Sequence, residues 1–129
     1  MLDMARSSAP EVAPSEPVLK LRVRLTVGEL IAVGPGKIDL LEALDATGSI
    51  TAAAKSLGMS YRRAWLLIDE LNRSLRAPAV ATAAGGAQGG GSVLTEDGRT
   101  LVRLYRQIEA TALQAAAADI QALKQMLAP

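Results

Sequence analysis

The stretch Gly48-Ser49-Ile50-Thr51-Ala52-Ala53-Ala54-Lys55-Ser56-Leu57-Gly58-Met59-Ser60-Tyr61-Arg62-Arg63-Ala64-Trp65 contains two helix starts and a sharp turn between them. Ser49 is a good N-cap for a short helix over Ile50 to Leu57, whose three consecutive alanines let a neighbouring helix approach closely. Gly58 suits the left-handed residue that ends such a helix. One residue later Ser60 can cap another helix, in which Tyr61, Ala64, Trp65, Ile68, Leu71 and Leu75 recur on one face out to about Arg76. Helices joined by so tight a turn cannot lie antiparallel, so they cross steeply as a helix-turn-helix.

Upstream, Leu19, Leu21, Val23, Leu25 and Val27 alternate with Lys20, Arg22, Arg24 and Thr26. That period of two predicts a half-buried strand over Leu19 to Val27 with a basic outer face. Gly28 offers a turn and Leu30 to Val33 a second short strand. Pro35 then opens a first helix over about Gly36 to Ala46, with Ile38, Leu40, Leu41 and Leu44 apolar and Thr47-Gly48 as its end. Downstream, Pro78 blocks further helix. Val80 to Ala83 and Ser92 to Leu94 flank Ala84 to Gly91, which reads as a glycine-rich hairpin tip where a wing would sit. Thr95 caps a last helix with Glu96 and Asp97 in its first turn. Its apolar stripe, from Leu101 through Tyr105, Ile108 and Ile120 to Leu127, predicts one helix running almost to the end.

These elements predict a mainly α (α+β) winged helix-turn-helix with a long C-terminal dimerisation helix. Residues 18–109 are expected to form this winged domain, the DNA-binding unit of the reading developed below. The Pro/Ser/Ala mixture of residues 1–17 reads as a flexible arm. The alanine-rich part of the last helix, residues 110–129, would leave its stripe in water in a monomer and is expected to pack against a second copy of the chain.

The 129 residues carry 14 Lys and Arg against 13 Asp and Glu, a net charge of +1, with neither His nor Cys. Imidazole bases, thiol nucleophiles, disulfides and the common zinc sites are thereby excluded, so no enzyme, metal or cofactor is expected. Asp69-Glu70 and Glu96-Asp97 are adjacent on helices and diverge, which suits surface charges better than an acid/base pair. No signal-peptide core or membrane-length apolar run appears, and a cytoplasmic location is expected. Between Lys20 and Arg106, twelve basic residues face eight acidic ones. That moderate surplus favours selective binding of a polyanion over indiscriminate attraction.

The chemistry concentrates at the start of the third helix. Arg62 and Arg63 can each bridge the two acceptors of a guanine in the major groove of double-stranded DNA. Ser60 and Tyr61 add hydroxyls and amides for a phosphate, and Ser49 and Thr51 do the same where the second helix begins. In the glycine-rich loop, Gln88 and Gly89 bring a polar side chain and bare backbone toward the DNA. That loop has neither the Gly-Lys-Ser/Thr of a P-loop nor the dinucleotide fingerprint. Trp65 shares a face with Tyr61, Ile68 and Leu71 and is read as core, together with Tyr61 and Tyr105. The alternative to a DNA-binding regulator is a winged-helix module that binds another protein.

The runs Gly48 to Lys55, Ser60 to Trp65 and Leu94-Thr95-Glu96-Asp97-Gly98, in that order, resemble the amino-terminal winged-helix domain of the ModE-type molybdate-responsive transcription regulators. They are more distantly similar to LysR-type regulators. The resemblance covers Gly34 to Ile108 and implies a bacterial transcription factor that dimerises through flanking helices and lays helix three in the major groove. Full-length members carry a pair of small oxyanion-binding barrels after this domain. None precedes Pro129, so the molybdate-sensing part is expected to be missing: either DNA is bound without that effector, or an unassigned small-molecule effector is sensed through another site or partner. Ala87 and Gln88 stand where relatives often carry a basic residue.

Overall fold

A computed structural model describes residues 16–82 and 91–129. Residues 1–15 of the expected arm (1–17), Ala83 of the expected strand and residues 84–90 of the expected hairpin tip (84–91) lie outside the described residues. The first hairpin pairs β1 (Leu25–Val27) with β2 (Leu30–Val33) around Gly28, whose φ of +61° suits glycine. The predicted long strand over Leu19 to Val27 is therefore reduced to its last three residues. β2 is only four residues long, so the backbone before Leu25 has no ladder to join. Leu25 and Val27 are also well exposed, at 65% and 68%. The earlier part is held by a side chain instead, because the Tyr105 hydroxyl donates to the Val23 carbonyl at 2.6 Å.

Helix α1 (Pro35–Thr47) is the centre of the molecule. Ile38, Leu40, Leu41 and Leu44 are fully buried, and the helix stops at Gly48 (φ +79°), whose amide donates to the Leu44 carbonyl at 2.7 Å. Helix α2 (Ile50–Ser56) starts on Ser49, whose hydroxyl oxygen accepts from the Ala52 amide at 2.9 Å. It buries Ala53 and Ala54 against the core. Gly58, at φ +70°, turns the chain into α3 (Tyr61–Ser74), where Ser60 accepts from the Arg63 amide at 3.1 Å. Ala64, Ile68 and Leu71 are the members of α3 that reach the core.

Trp65 and Tyr61 do not join them. They are 44% and 54% exposed, and Tyr105, at 4%, is the aromatic side chain in the core. The strip Ala64, Ile68 and Leu71 already fills the contact with the core. Trp65 lies one step round the helix, in a shallow crevice with Ile50, Asn72, Val80 and Ser92.

Asn72 fastens the end of α3 to the second hairpin, β3 (Val80–Thr82) with β4 (Ser92–Leu94). Its carboxamide accepts from the Ala79 and Val80 amides at 2.8 and 3.2 Å and donates to the Val80 carbonyl at 3.1 Å. Thr95 caps α4 (Glu96–Ala115) by accepting from the Gly98 amide at 3.0 Å, and its hydroxyl donates to the Pro78 carbonyl at 2.7 Å. The expected single last helix is interrupted at Ala116 (φ −97°, ψ 9°), and α5 (Ala117–Lys124) follows. No side chain of α5 is buried, so no core packing holds the alanine run around Ala116 in continuous helix. Ile120, Leu123 and Leu127 stand beside Pro17, Val18 and Leu19, so part of the stripe meets this chain's own N-terminal segment.

Two ionic clamps tie α1 to its neighbours. Arg106 of α4 reaches Asp39 at 2.9 Å and Glu42 at 2.7 Å on α1, as well as Glu109 at 2.8 Å. Lys37, only 6% exposed, donates to the Ile31 carbonyl and pairs with Glu70 of α3, both at 2.6 Å. Glu70, expected as a plain surface charge, is thus a structural partner, while Asp69 pairs with Arg73 one turn on.

Both the close packing and the clamps have measurable effects on stability. A Cβ on Gly98 would collide with the Ala79 carbonyl oxygen, whereas one on Gly36 meets open space. Gly98→Ala should cost about 3 kcal/mol in urea unfolding, and Gly36→Ala should change stability by no more than about 0.5 kcal/mol. Hydrogen bonds from Arg106 hold the Glu42 carboxyl below the ordinary carboxylate range, and the Lys37 ammonium does the same for Glu70. Depressed carboxyls stabilise the fold above the ordinary glutamate value of about 4.3 and lose that effect as pH falls through their folded-state values. The melting temperature should therefore drop on the acid side of about pH 4.3, and less steeply in a Glu42→Gln/Glu70→Gln variant.

Candidate nucleic-acid interface

The left-handed Gly58 turn and the Ser60 cap separate α2 from α3 and leave the start of α3 at the surface. Ser60, Tyr61, Arg62 and Arg63 are all exposed there. Among the described residues no ion pair engages Arg62 or Arg63, although Lys37, Arg73 and Arg106 all have carboxylate partners. Two arginines on the first turn of a capped helix leave their guanidinium donors directed at solvent or a partner. Such forks match guanine edges and phosphates alike.

Ser49 and Ser60 use a hydroxyl lone pair for their caps and keep the O–H as a donor. Capping and phosphate contact are therefore compatible at both. Thr51 is exposed on the first turn of α2, and Ser49 is half-buried beside it. The second hairpin closes against this same corner, because the Ser92 amide donates to the Gly48 carbonyl at 3.2 Å. A Cβ on Gly91 would stand 2.7 Å from that oxygen, so the close return needs glycine. The structure thus brings the start of α2, Trp65 of α3 and the root of the β3–β4 hairpin together. Gln88 and Gly89 lie outside the described residues.

Two features of this surface escape sequence reasoning. The exposed rings of Tyr61 and Trp65 read as core in the sequence, since apolar periodicity cannot separate the buried middle of a helix face from its rim. Arg22 and Arg24 read only as the outer face of a strand. They line a cleft with Arg63 and the start of α1, and the signal for it is the alternation of basic residues itself.

Among the described residues no group of His, Cys, Asp and Glu could hold a metal ion. No described helix is long and apolar enough to cross a membrane.

Residues 36–99 match the family of bacterial regulatory helix-turn-helix proteins of the lysR type. The chain is 46% identical over 78 residues to the molybdenum-pterin-binding protein MopB of Rhodobacter capsulatus and, over the same length, to the molybdenum transport protein ModE of Azotobacter vinelandii. Each match takes in 60% of this chain and 29% of the relative. The DNA-binding transcriptional dual regulator ModE of Escherichia coli K12 is 37% identical over 86 residues, which are 67% of this chain and 33% of that protein. The chain thus spans about a third of the length of these relatives. The match falls on α1 to the start of α4, the elements that build the exposed arginine corner, so residues 36–99 are similar both to the lysR-type helix-turn-helix family and to the ModE relatives.

Proposed function

We propose that this chain is a sequence-selective, double-stranded-DNA-binding transcription regulator that acts as a homodimer. The observation that carries the reading is the pair Arg62 and Arg63, exposed on the first turn of a helix whose angle is fixed by the Gly58 turn and the Ser60 cap. Helix α3 enters the major groove, and the two arginines contact base edges. Ser49, Thr51, Ser60 and Tyr61 hold phosphates on either side. Gln88 and Gly89, in the glycine-rich wing of residues 84–91, approach the backbone beyond them. Residues 18–109 make up the DNA-binding unit and residues 1–17 an arm. The relatives named as regulators support a role in transcription and not catalysis, and the cytoplasm is the location that goes with this reading. Their molybdenum-linked names concern proteins of which the matched stretch makes up 29%, so the ligand assigned to this stretch is DNA.

Residues 110–129 serve dimerisation. Leu104, Ile108, Leu123 and Leu127 are between 49% and 57% exposed along α4, α5 and the residues after them, an apolar edge that a second copy would cover. Sedimentation equilibrium at micromolar concentration should give twice the chain mass, and Ile108→Glu/Leu123→Glu should shift it toward monomer. A wild-type monomer at that concentration would count against this part of the reading.

Site selection from a random duplex library at about 150 mM salt tests the DNA reading. A two-fold symmetric motif with half-site centres about 34 Å apart, or a multiple of that, should be enriched. Arg62→Ala/Arg63→Ala should weaken affinity for the motif roughly 10-fold or more for each base-edge interaction removed and flatten its preference. Failure of the wild type to enrich any motif, or an unaffected variant, would overturn the proposal.

A further inference from the structure

Arg22, Arg24 and Arg63 line a cleft of about 380 Å³ between the segment leading into β1, the start of α1 and the outer strip of α3. Lys37 and Glu70 also line it and are paired at 2.6 Å, so they cancel and the three arginines set its charge. None of the three has an ion-pair partner among the described residues. A Cβ added to Gly34 would stand 3.6 Å from the Arg24 Cγ, so the stem of that side chain passes close to the start of α1. Gly36, on the first turn of α1, is exposed and lines the cleft with open space at its Cβ position. Three arginines therefore share one cleft beside uncrowded backbone, an arrangement suited to a group with several anionic oxygens.

We propose that this cleft is a phosphate cradle and that it takes a phosphodiester of the DNA backbone beside the bases met by α3. The inference rests on the DNA-binding reading above and extends it to Arg22 and Arg24, outside the helix-turn-helix. Continuity selects the DNA backbone over a soluble anion. Arg63 belongs both to the cleft and to the exposed first turn of α3, so a duplex on that turn brings its phosphates to the cleft mouth. Contacts of this kind add affinity without reading sequence.

The test compares the wild-type chain of 129 residues with Arg22→Ala/Arg24→Ala and the charge-keeping Arg22→Lys/Arg24→Lys. Binding to the library-selected duplex and to a shuffled one is measured by fluorescence anisotropy between about 50 and 300 mM salt. The alanine variant should weaken both duplexes by the same factor and lower the slope of log affinity against log salt by about one for each phosphate no longer neutralised. The lysine variant should keep the slope, and all three proteins should prefer the same motif. An unchanged slope in the alanine variant, with wild-type selectivity intact, would overturn the cradle and leave the regulator standing. A wild type that binds neither duplex would overturn both. If inorganic phosphate at constant ionic strength raises the melting temperature of the wild type but not of the alanine variant, while DNA binding is equal in the two, the cleft holds a soluble anion and the backbone assignment fails.

Discussion

The ammonium group of Lys37 is buried where β2, α1 and α3 meet, and the orientation of the arginine-bearing helix depends on how it is satisfied. A charge taken out of water is tolerated only if its donors are used and an opposite charge is close. Here the Ile31 carbonyl supplies one acceptor from the hairpin, and Glu70 supplies the counter-charge from α3. Glu70 could not do so if α3 were rotated by one residue about its axis. Glu70 shares its strip with Leu67 and Arg63, so the pairing that draws Glu70 inward also sets Arg63 at the rim of the same cleft.

A second set of contacts holds the other end of α3. Asn72 replaces missing strand partners for Ala79 and Val80, and Thr95 ties the start of α4 to Pro78. The bare Cα of Gly98 lets these two turns of chain touch. Helices α2 and α3 would be marginal in isolation, and they are positioned by such polar fastenings as much as by the small apolar core around α1. Buried amides and carbonyls that are fully paired have few alternative arrangements. That confers rigidity on a surface which has to match a fixed partner.

The parts of the fold legible in the sequence are those fixed by neighbours along the chain. Ser49, Gly48, Gly58 and Ser60 act within three or four residues of themselves, and the helix boundaries they predict are those observed to within a residue or two. What is not legible depends on distant partners. The alternation from Leu19 to Val27 is genuine, but a strand also needs an edge to pair with, and only three residues have one. Trp65 obeys the period of the apolar face yet sits at its rim, because Ala64, Ile68 and Leu71 take the contact with the core. Glu70 reads as surface in the absence of Lys37, which only the fold brings beside it. Of the candidate site, the arginines and caps are visible as local chemistry. The role of Arg22 and Arg24 emerges only when the first hairpin is folded against α3.

The second hairpin is pinned at both roots, by Asn72 under Val80 and by the Gly48 carbonyl against Ser92. Both anchors engage main-chain groups of the hairpin, the Val80 amide and carbonyl and the Ser92 amide, so neither depends on which side chain stands at those two positions. The three-helix corner that carries Arg62 and Arg63 thus grips its hairpin through the backbone, and that grip survives a change of side chain on either strand.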